Sequence, residues 1–226
     1  MIRSMEEFVS AFHAACCVSI PLVAVRTADP ASTTNFLIET LKQSRNVRPL
    51  LGWDVIRGLY AIGKDSGEEL ARVLGERDAP MVGPAEALFL AQQLREDGLL
   101  LYSNAHRFWN ETGVMQGIRN LREPFKATGR MLVLLAVPGA TLPAELGQDV
   151  LVLDEPLPSA THLEQIGRET FNAANLGEPE RPTIARAVDA LIGLGAFPAE
   201  QALAMSLVHG ELDTDDLWER KRQMIE

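Results

Sequence analysis

The sequence predicts an α/β protein: a three-layer domain on a parallel, five-stranded sheet over residues 1–158, then a small all-helical subdomain over residues 159–226. Three observations predict it. Five short runs are apolar without alternation, the mark of strands covered on both faces. Segments whose apolar residues recur every three or four positions separate those runs, as crossover helices do between parallel strands. After Ser159 the strand-like runs stop and only helical spacing remains.

Taken in order, Met5, Phe8, Val9, Phe12, Ala15 and Cys16 give helical spacing over residues 5–17, and Pro21–Arg26 is the first buried strand. Asp29 can cap a helix that begins at Pro30 and turns Phe36, Leu37, Thr40 and Leu41 inward. Pro49–Trp53 is the second strand and ends in Asp54; the polar stretch Gly63–Glu69 reads as a loop. Pro84–Glu96 reads as helix, Gly98–Ser103 as the third strand, and Ala105–Phe125 as mostly helical. Arg130–Val137 and Asp149–Leu153 supply the fourth and fifth strands. Four helices follow, Ala160–Leu176, Thr183–Leu194, Pro198–Val208 and Asp213–Met224, broken at Gly177–Pro182 and Gly193–Gly195.

Composition narrows the function classes. The 226 residues include 21 Lys+Arg and 31 Asp+Glu, a formal net charge of −10, and 46% are hydrophobic. Such apolar content excludes intrinsic disorder. An acidic balance argues against nucleic acid and anionic membrane as partners. The longest apolar runs, Met131–Val137 and Leu99–Tyr102, fall far short of the ~20 residues of a membrane helix. With an acidic start and no signal-peptide layout, the expected location is cytoplasmic. Two adjacent cysteines, Cys16 and Cys17, make a strained disulfide and, without Cys or His partners at ligand spacing, a poor zinc site. They read as small buried hydrophobes.

Ligands of open parallel sheets sit at the carboxyl ends of the strands. An α/β core followed by helices suggests a nucleoside triphosphatase, which needs GxxxxGK[ST] after the first strand. Here the segment is Arg26-Thr27-Ala28-Asp29-Pro30-Ala31-Ser32-Thr33-Thr34, with no glycine and no lysine. Asp29 puts negative charge where phosphate would sit, and Pro30 has no amide hydrogen. The lone Gly63-Lys64 pair has the wrong neighbour and no strand before it. The third strand runs into Ser103-Asn104-Ala105-His106, with Asn104 where an acid would hold Mg²⁺ or orient water. Both halves of a hydrolytic apparatus are missing together.

Gly52-Trp53-Asp54-Val55-Ile56-Arg57-Gly58, Asn104-Ala105-His106-Arg107-Phe108, Ile118-Arg119-Asn120-Leu121-Arg122, Thr128-Gly129-Arg130, Leu142-Pro143-Ala144-Glu145-Leu146 and Leu153-Asp154-Glu155-Pro156-Leu157-Pro158 follow in this order. The order resembles the amino-terminal half of AAA+ ATPases of the plastid and cyanobacterial hypothetical-chloroplast-frame type, also found in bacteria and phages. It covers most of residues 20–226. The resemblance implies a sheet of the P-loop NTPase/AAA type without a phosphate loop, a helical lid, and a complete ATPase module downstream. ATP and Mg²⁺ are implied only at the level of that family; this chain alone calls for no cofactor. Family members carry Asp-x-His where this chain has Asn104-Ala105-His106.

The expected function is a non-hydrolysing AAA-like module in assembly or regulation of an ATPase ring, partnered by a downstream AAA+ module or by copies of itself. The alternative is nucleotide binding or metal-assisted hydrolysis by the strand-end residues Asp54, His106 and Asp154. Thr27, Ser32 and Arg57 are candidates to touch a nucleotide, and Arg57, Arg107 and Arg130 to line a residual anion pocket. Arg119 and Arg122, three apart on one helix face, are candidates to act on a neighbouring subunit. Each has a plainer reading: Asp54 as the cap of a following helix, His106 as a hydrogen-bonded structural histidine, and the two arginines as a solvated face. Exposure of Leu217, Trp218, Met224 and Ile225 would mark a partner domain's contact.

Overall fold

The structure is a computed structural model and describes residues 4–42, 48–63, 66–77, 81–208 and 211–225. The chain divides into two compact units, Met1–Glu155 and Pro156–Glu226. The first opens with α1 (Met5–Cys17), whose first turn is capped by the Ser4 hydroxyl accepting from the Glu7 amide. Then come β1 (Leu22–Arg26), α2 (Pro30–Lys42), β2 (Leu50–Asp54), β3 (Gly58–Ile62), α3 (Gly67–Leu74), α4 (Pro84–Ala91) and β4 (Leu99–Tyr102). A short 3-10 turn (Ala105–Arg107), α5 (Thr112–Ala127), β5 (Met131–Ala136), a second 3-10 turn (Ala144–Leu146) and β6 (Leu151–Asp154) complete it.

The six strands lie in the order β3-β2-β4-β5-β1-β6. Five are parallel, as their continuous apolar runs predict. The sixth is a correction to the expected all-parallel, five-stranded sheet. β3 pairs antiparallel with β2, from Leu50 opposite Ile62 to Asp54 opposite Gly58, which makes the sheet mixed. No helix follows Asp54; the chain turns straight back.

Alternate residues of each strand feed two cores, the period-two signature of a pleated sheet. Leu22, Ala24, Leu51, Trp53, Leu100, Tyr102, Leu132 and Leu134 pack with Leu88, Ile118, Leu121 and Phe125 of α4 and α5. Val23, Val25, Leu50, Leu99, Leu101, Met131, Val133 and Leu135 pack with Phe8, Phe12 and Leu37 of α1 and α2. The three layers follow from that division.

Two helical boundaries also differ from expectation. Within Gly63–Glu69, expected as a loop, Lys64 and Asp65 lie outside the described residues, and α3 begins at Gly67. Its polar face is legitimate because the buried Glu69 accepts from the Arg72 guanidinium at 2.6 Å and the Arg95 amide at 2.7 Å. Burial works against the Glu69 charge, but these donors and the two cations hold its carboxyl below the usual range. The helix expected over 105–125 starts only at Thr112: Asn104, left-handed at φ 53° and ψ 35°, leads into the short 3-10 turn, and extended backbone at Glu111 separates that turn from α5.

The second unit holds α6 (Ala160–Ala173), α7 (Arg181–Leu191), α8 (Ala196–Met205) and α9 (Thr214–Ile225) around Leu163, Ile166, Leu191, Leu203 and Leu217. It is not all helical: β7 (Leu207–Val208) and β8 (Glu211–Leu212) form a two-residue antiparallel ribbon between α8 and α9. No helix among the described residues is long and apolar enough to cross a membrane.

Candidate functional site

The residues after β1 form a closed polar knot. Asp29 caps α2: its Oδ1 accepts from the Ser32 amide at 3.1 Å and its carbonyl accepts from the Thr33 amide at 3.0 Å. The candidate Ser32 thus contributes its amide, and its side chain is exposed. The candidate Thr27 is buried, as is Thr33, one turn into α2. Thr27 Oγ1 accepts from the Asp29 amide at 2.9 Å and lies 2.7 Å from Thr33 Oγ1. Thr33 Oγ1 also has Glu155 Oε2 at 2.6 Å and the Asp29 carbonyl at 2.8 Å.

Proton counting orders this cluster. A hydroxyl has one hydrogen, and Thr33 has three oxygen neighbours. Thr27 therefore donates to Thr33, and Thr33 donates to the carboxylate of Glu155, the strongest acceptor available. A relay runs from the Asp29 amide through both threonines to Glu155. Beside it, Arg26 and Asp154 are cross-strand partners on β1 and β6. They form a bidentate ion pair, Nε to Oδ1 at 2.5 Å and Nη2 to Oδ2 at 2.7 Å. Two acids and a proline thus occupy the turn where a phosphate loop would need amides, glycine and lysine. Neither Thr33 nor Glu155 is among the sequence candidates. An inward-facing threonine in a helix's first turn and paired acids closing an edge strand were the available signals.

The Asp54 turn is a second, separate arrangement. Asp54 Oδ1 accepts from the Ile56 and Arg57 amides at 2.9 and 2.7 Å, and Oδ2 from Arg57 Nε at 2.5 Å. Burial opposes the Asp54 charge, yet these three bonds hold its carboxyl below the usual range. The candidate Arg57 is thereby committed to Asp54 and lies 3.7 Å above the Tyr60 ring. The rest of the Trp-Asp-x-x-x-Gly pattern is structural too. Trp53 is fully buried, donates from Nε1 to the Val82 carbonyl at 2.9 Å and stacks on Tyr102 at 4.2 Å. Gly58 has φ 68°, and a Cβ on Gly52 would fall 2.2 Å from the Tyr60 ring.

Asp54, His106 and Asp154 do not converge. β2 and β6 are four strand intervals apart, about 19 Å at the usual spacing, and β4 and β6 three intervals, about 14 Å. Both carboxylates are consumed by arginines. His106 packs edge-on near Trp109, with a buried Nδ1 that has no hydrogen-bond partner. Burial, then the charge of Arg107, lowers its pKa and favours neutral imidazole. Among the described residues no three His, Cys, Asp or Glu side chains gather at metal-binding distances. Tyr102 Oη is likewise buried without a partner, and burial followed by the Glu111 charge raises its pKa.

The remaining candidates scatter. Arg130 precedes β5, at the opposite end of the sheet from Arg57, and donates to the Gln92 carbonyl at 3.1 Å. On α5, Arg122 is held by Asp149 at 2.5 Å and Glu123 at 2.8 Å, whereas Arg119 is exposed and has no ionic partner among the described residues. Cys16 is buried, which pushes its thiol up to about 11. Cys17 is exposed and, against expectation, does have a histidine nearby: His13 Nδ1, one turn back, lies 3.6 Å from its Sγ. In α9, Leu217 is fully buried, whereas Trp218, Met224 and Ile225 are exposed.

Comparison with known proteins adds the lineage. An uncharacterized AAA domain-containing protein, ycf46, of Guillardia theta is 23% identical over 225 residues, spanning 97% of this chain. The chain spans 42% of that relative's length. Domain III of the Thermotoga maritima replication initiation protein DnaA superposes with a TM-score of 0.57 at 14% identity, over 100% of this chain and 94% of its own. The Thermotoga maritima RuvB Holliday junction branch migration motor gives 0.58 at 14% identity, over 98% and 72%. PCH-2 of C. elegans gives 0.56 at 9% identity, over 98% and 67%. Identities this low carry the fold alone, an α/β domain like those of P-loop AAA+ proteins. The model of the family described as "SpoVK-like AAA ATPase, N-terminal domain" matches residues 5–155, and the chain belongs to that family.

Proposed function

We propose that the chain is a non-hydrolysing AAA-like module, with the second unit as its helical lid, that serves assembly or regulation of an ATPase ring. Its partner is an active AAA+ module or further copies of itself. One observation carries this reading: the turn after β1 is filled by the protein's own groups. Asp29 caps α2, and Glu155 ends the Thr27–Thr33 relay. A triphosphate entering there would meet two carboxylates instead of a ring of amides and a lysine. Asn104 supports the same reading, because a neutral amide in a left-handed turn supplies neither a base nor a firm Mg²⁺ ligand.

The test is equilibrium binding of fluorescent ATP with Mg²⁺, together with single-turnover hydrolysis, on the purified chain. No saturable binding at submillimolar nucleotide and no turnover above the buffer rate are expected. Turnover lost on Asp54→Ala or His106→Ala would overturn the reading in favour of a hydrolase. For the regulatory role, the chain added to an active AAA+ ATPase of the same family should change that enzyme's rate.

A further inference from the structure

The same relay has a mechanical side that does not depend on whether nucleotide binds. Glu155 is the last residue of the first unit, and Pro156 opens the second. Both carboxylates and the Glu155 amide of the segment Asp154–Glu155 are bonded to the rest of the first unit. The Asp154 carboxylate takes both forks of Arg26. The Glu155 amide donates to the Arg26 carbonyl at 3.0 Å, extending the β1–β6 ladder by one rung past the strand. The Glu155 carboxylate accepts from Thr33 at 2.6 Å. Arg26 Nη1 donates to the Ala140 carbonyl at 3.2 Å, which ties the same guanidinium to the loop after β5.

The sequence around it stiffens the exit further. Glu155 precedes Pro156 and Leu157 precedes Pro158, and a residue before proline is confined to extended backbone. The chain therefore leaves β6 already committed to the direction of the strand. In sequence, Thr33 and Glu155 are 122 residues apart. The bond between them therefore forms only once β1 and β6 are paired.

We propose that the turn after β1 is a junction latch: through Thr27, Thr33 and Arg26 it fixes where and in what direction the chain departs the first unit. In this arrangement the carboxylate of Glu155 is a built-in ligand, and its release would free the junction. The latch predicts coupling between two amides that are distant in sequence. The Asp29 amide bonds to Thr27 at the head of the relay, and the Glu155 amide bonds to Arg26 at its foot.

Hydrogen exchange on the intact chain tests it. In Glu155→Ala, protection at both the Asp29 and Glu155 amides should fall about tenfold or more, the worth of a lost charge-assisted bond. Amides within β4 and β5 should keep their protection, which separates latch release from general unfolding. Glu155→Gln keeps an acceptor and should retain most of the protection. Asp154→Asn should loosen the Glu155 amide while sparing the Asp29 amide. Unchanged protection at both amides in Glu155→Ala overturns the latch, as does an equal loss across β4 and β5. ATP turnover is read in a separate assay, so the latch and the non-hydrolysing assignment can fail independently.

Discussion

Two turns at the carboxyl edge of the sheet each hold a locally capped aspartate, Asp54 and Asp29, but only one of them is also tied across the unit. In the β2–β3 turn, Asp54 is satisfied within three residues, by Ile56 and Arg57. In the turn after β1, the partners come from the far end of the unit: Arg26 meets Asp154 and Thr33 meets Glu155. The first turn is a local device that closes a hairpin. In the second, the Asp29 cap and the Thr27–Thr33 bond are local, but the bonds of Arg26 and Thr33 to Asp154 and Glu155 exist only when β6 is in place. The compact string Trp53-Asp54-Val55-Ile56-Arg57-Gly58 is thereby accounted for by hairpin geometry and core packing. The unlabelled loop carries the long-range chemistry.

The sharpest way to break this contrast is Trp53→Ala. The indole is fully buried, stacked on Tyr102 and bonded to the Val82 carbonyl. Its loss should cost about 3–5 kcal/mol in urea unfolding. A cost under 1 kcal/mol would reopen the case for the motif as a ligand site. Next in size is Thr33→Val, which strands the relay and should cost about 1–3 kcal/mol. The neighbouring Thr34→Val, which removes only a bond to its own helix, serves as the control and should cost far less.

The smallest effect is at Asp54. Its carboxyl titrates below the usual range in the folded state. Its contribution is therefore complete above the unfolded value near 3.9 and is lost as pH falls through the folded value. Asp54→Asn should lower stability at neutral pH by at most about 1 kcal/mol, since Arg57 is largely exposed. The gap between the variant and the unaltered chain should close as the pH drops below about 4. Guanidinium melts at pH 7 and pH 3 measure it, and a gap that widens on acidification would reverse the assignment.

What could be read from the sequence follows the same division between local and distant. Continuous apolar runs announced the five parallel strands, and Asp29-Pro30 announced the start of α2. Strand β3 escaped because Gly58–Ile62 is short, partly exposed and preceded by an aspartate that suits a helix cap as well as a turn. Helix α3 escaped because Glu69 reads as solvent-facing until Arg72 and Arg95 close on it. Thr27 was visible as a strand-end residue, and Asp54 and Asp154 as strand-end acids. Their arginine partners were not, because Arg26 and Asp154 are matched only by sheet register. The pairing of Thr33 with Glu155 was not legible for the same reason: no periodicity links a helix's first turn to a residue beyond the last strand.

The strand order also fixes a schedule for a chain made from its amino end. β2 and β3 are neighbours in both sequence and sheet, so they can pair as soon as both emerge. β1 borders only β5 and β6, and Leu22 waits for Leu132. Until residue 131 leaves the ribosome, the first strand is an orphan: an apolar segment ending in Arg26, with both of its edges open. The first of the six strands to be made is among the last to find its partners, and synthesis that stalls before β5 leaves Leu22–Val25 available to any passing strand.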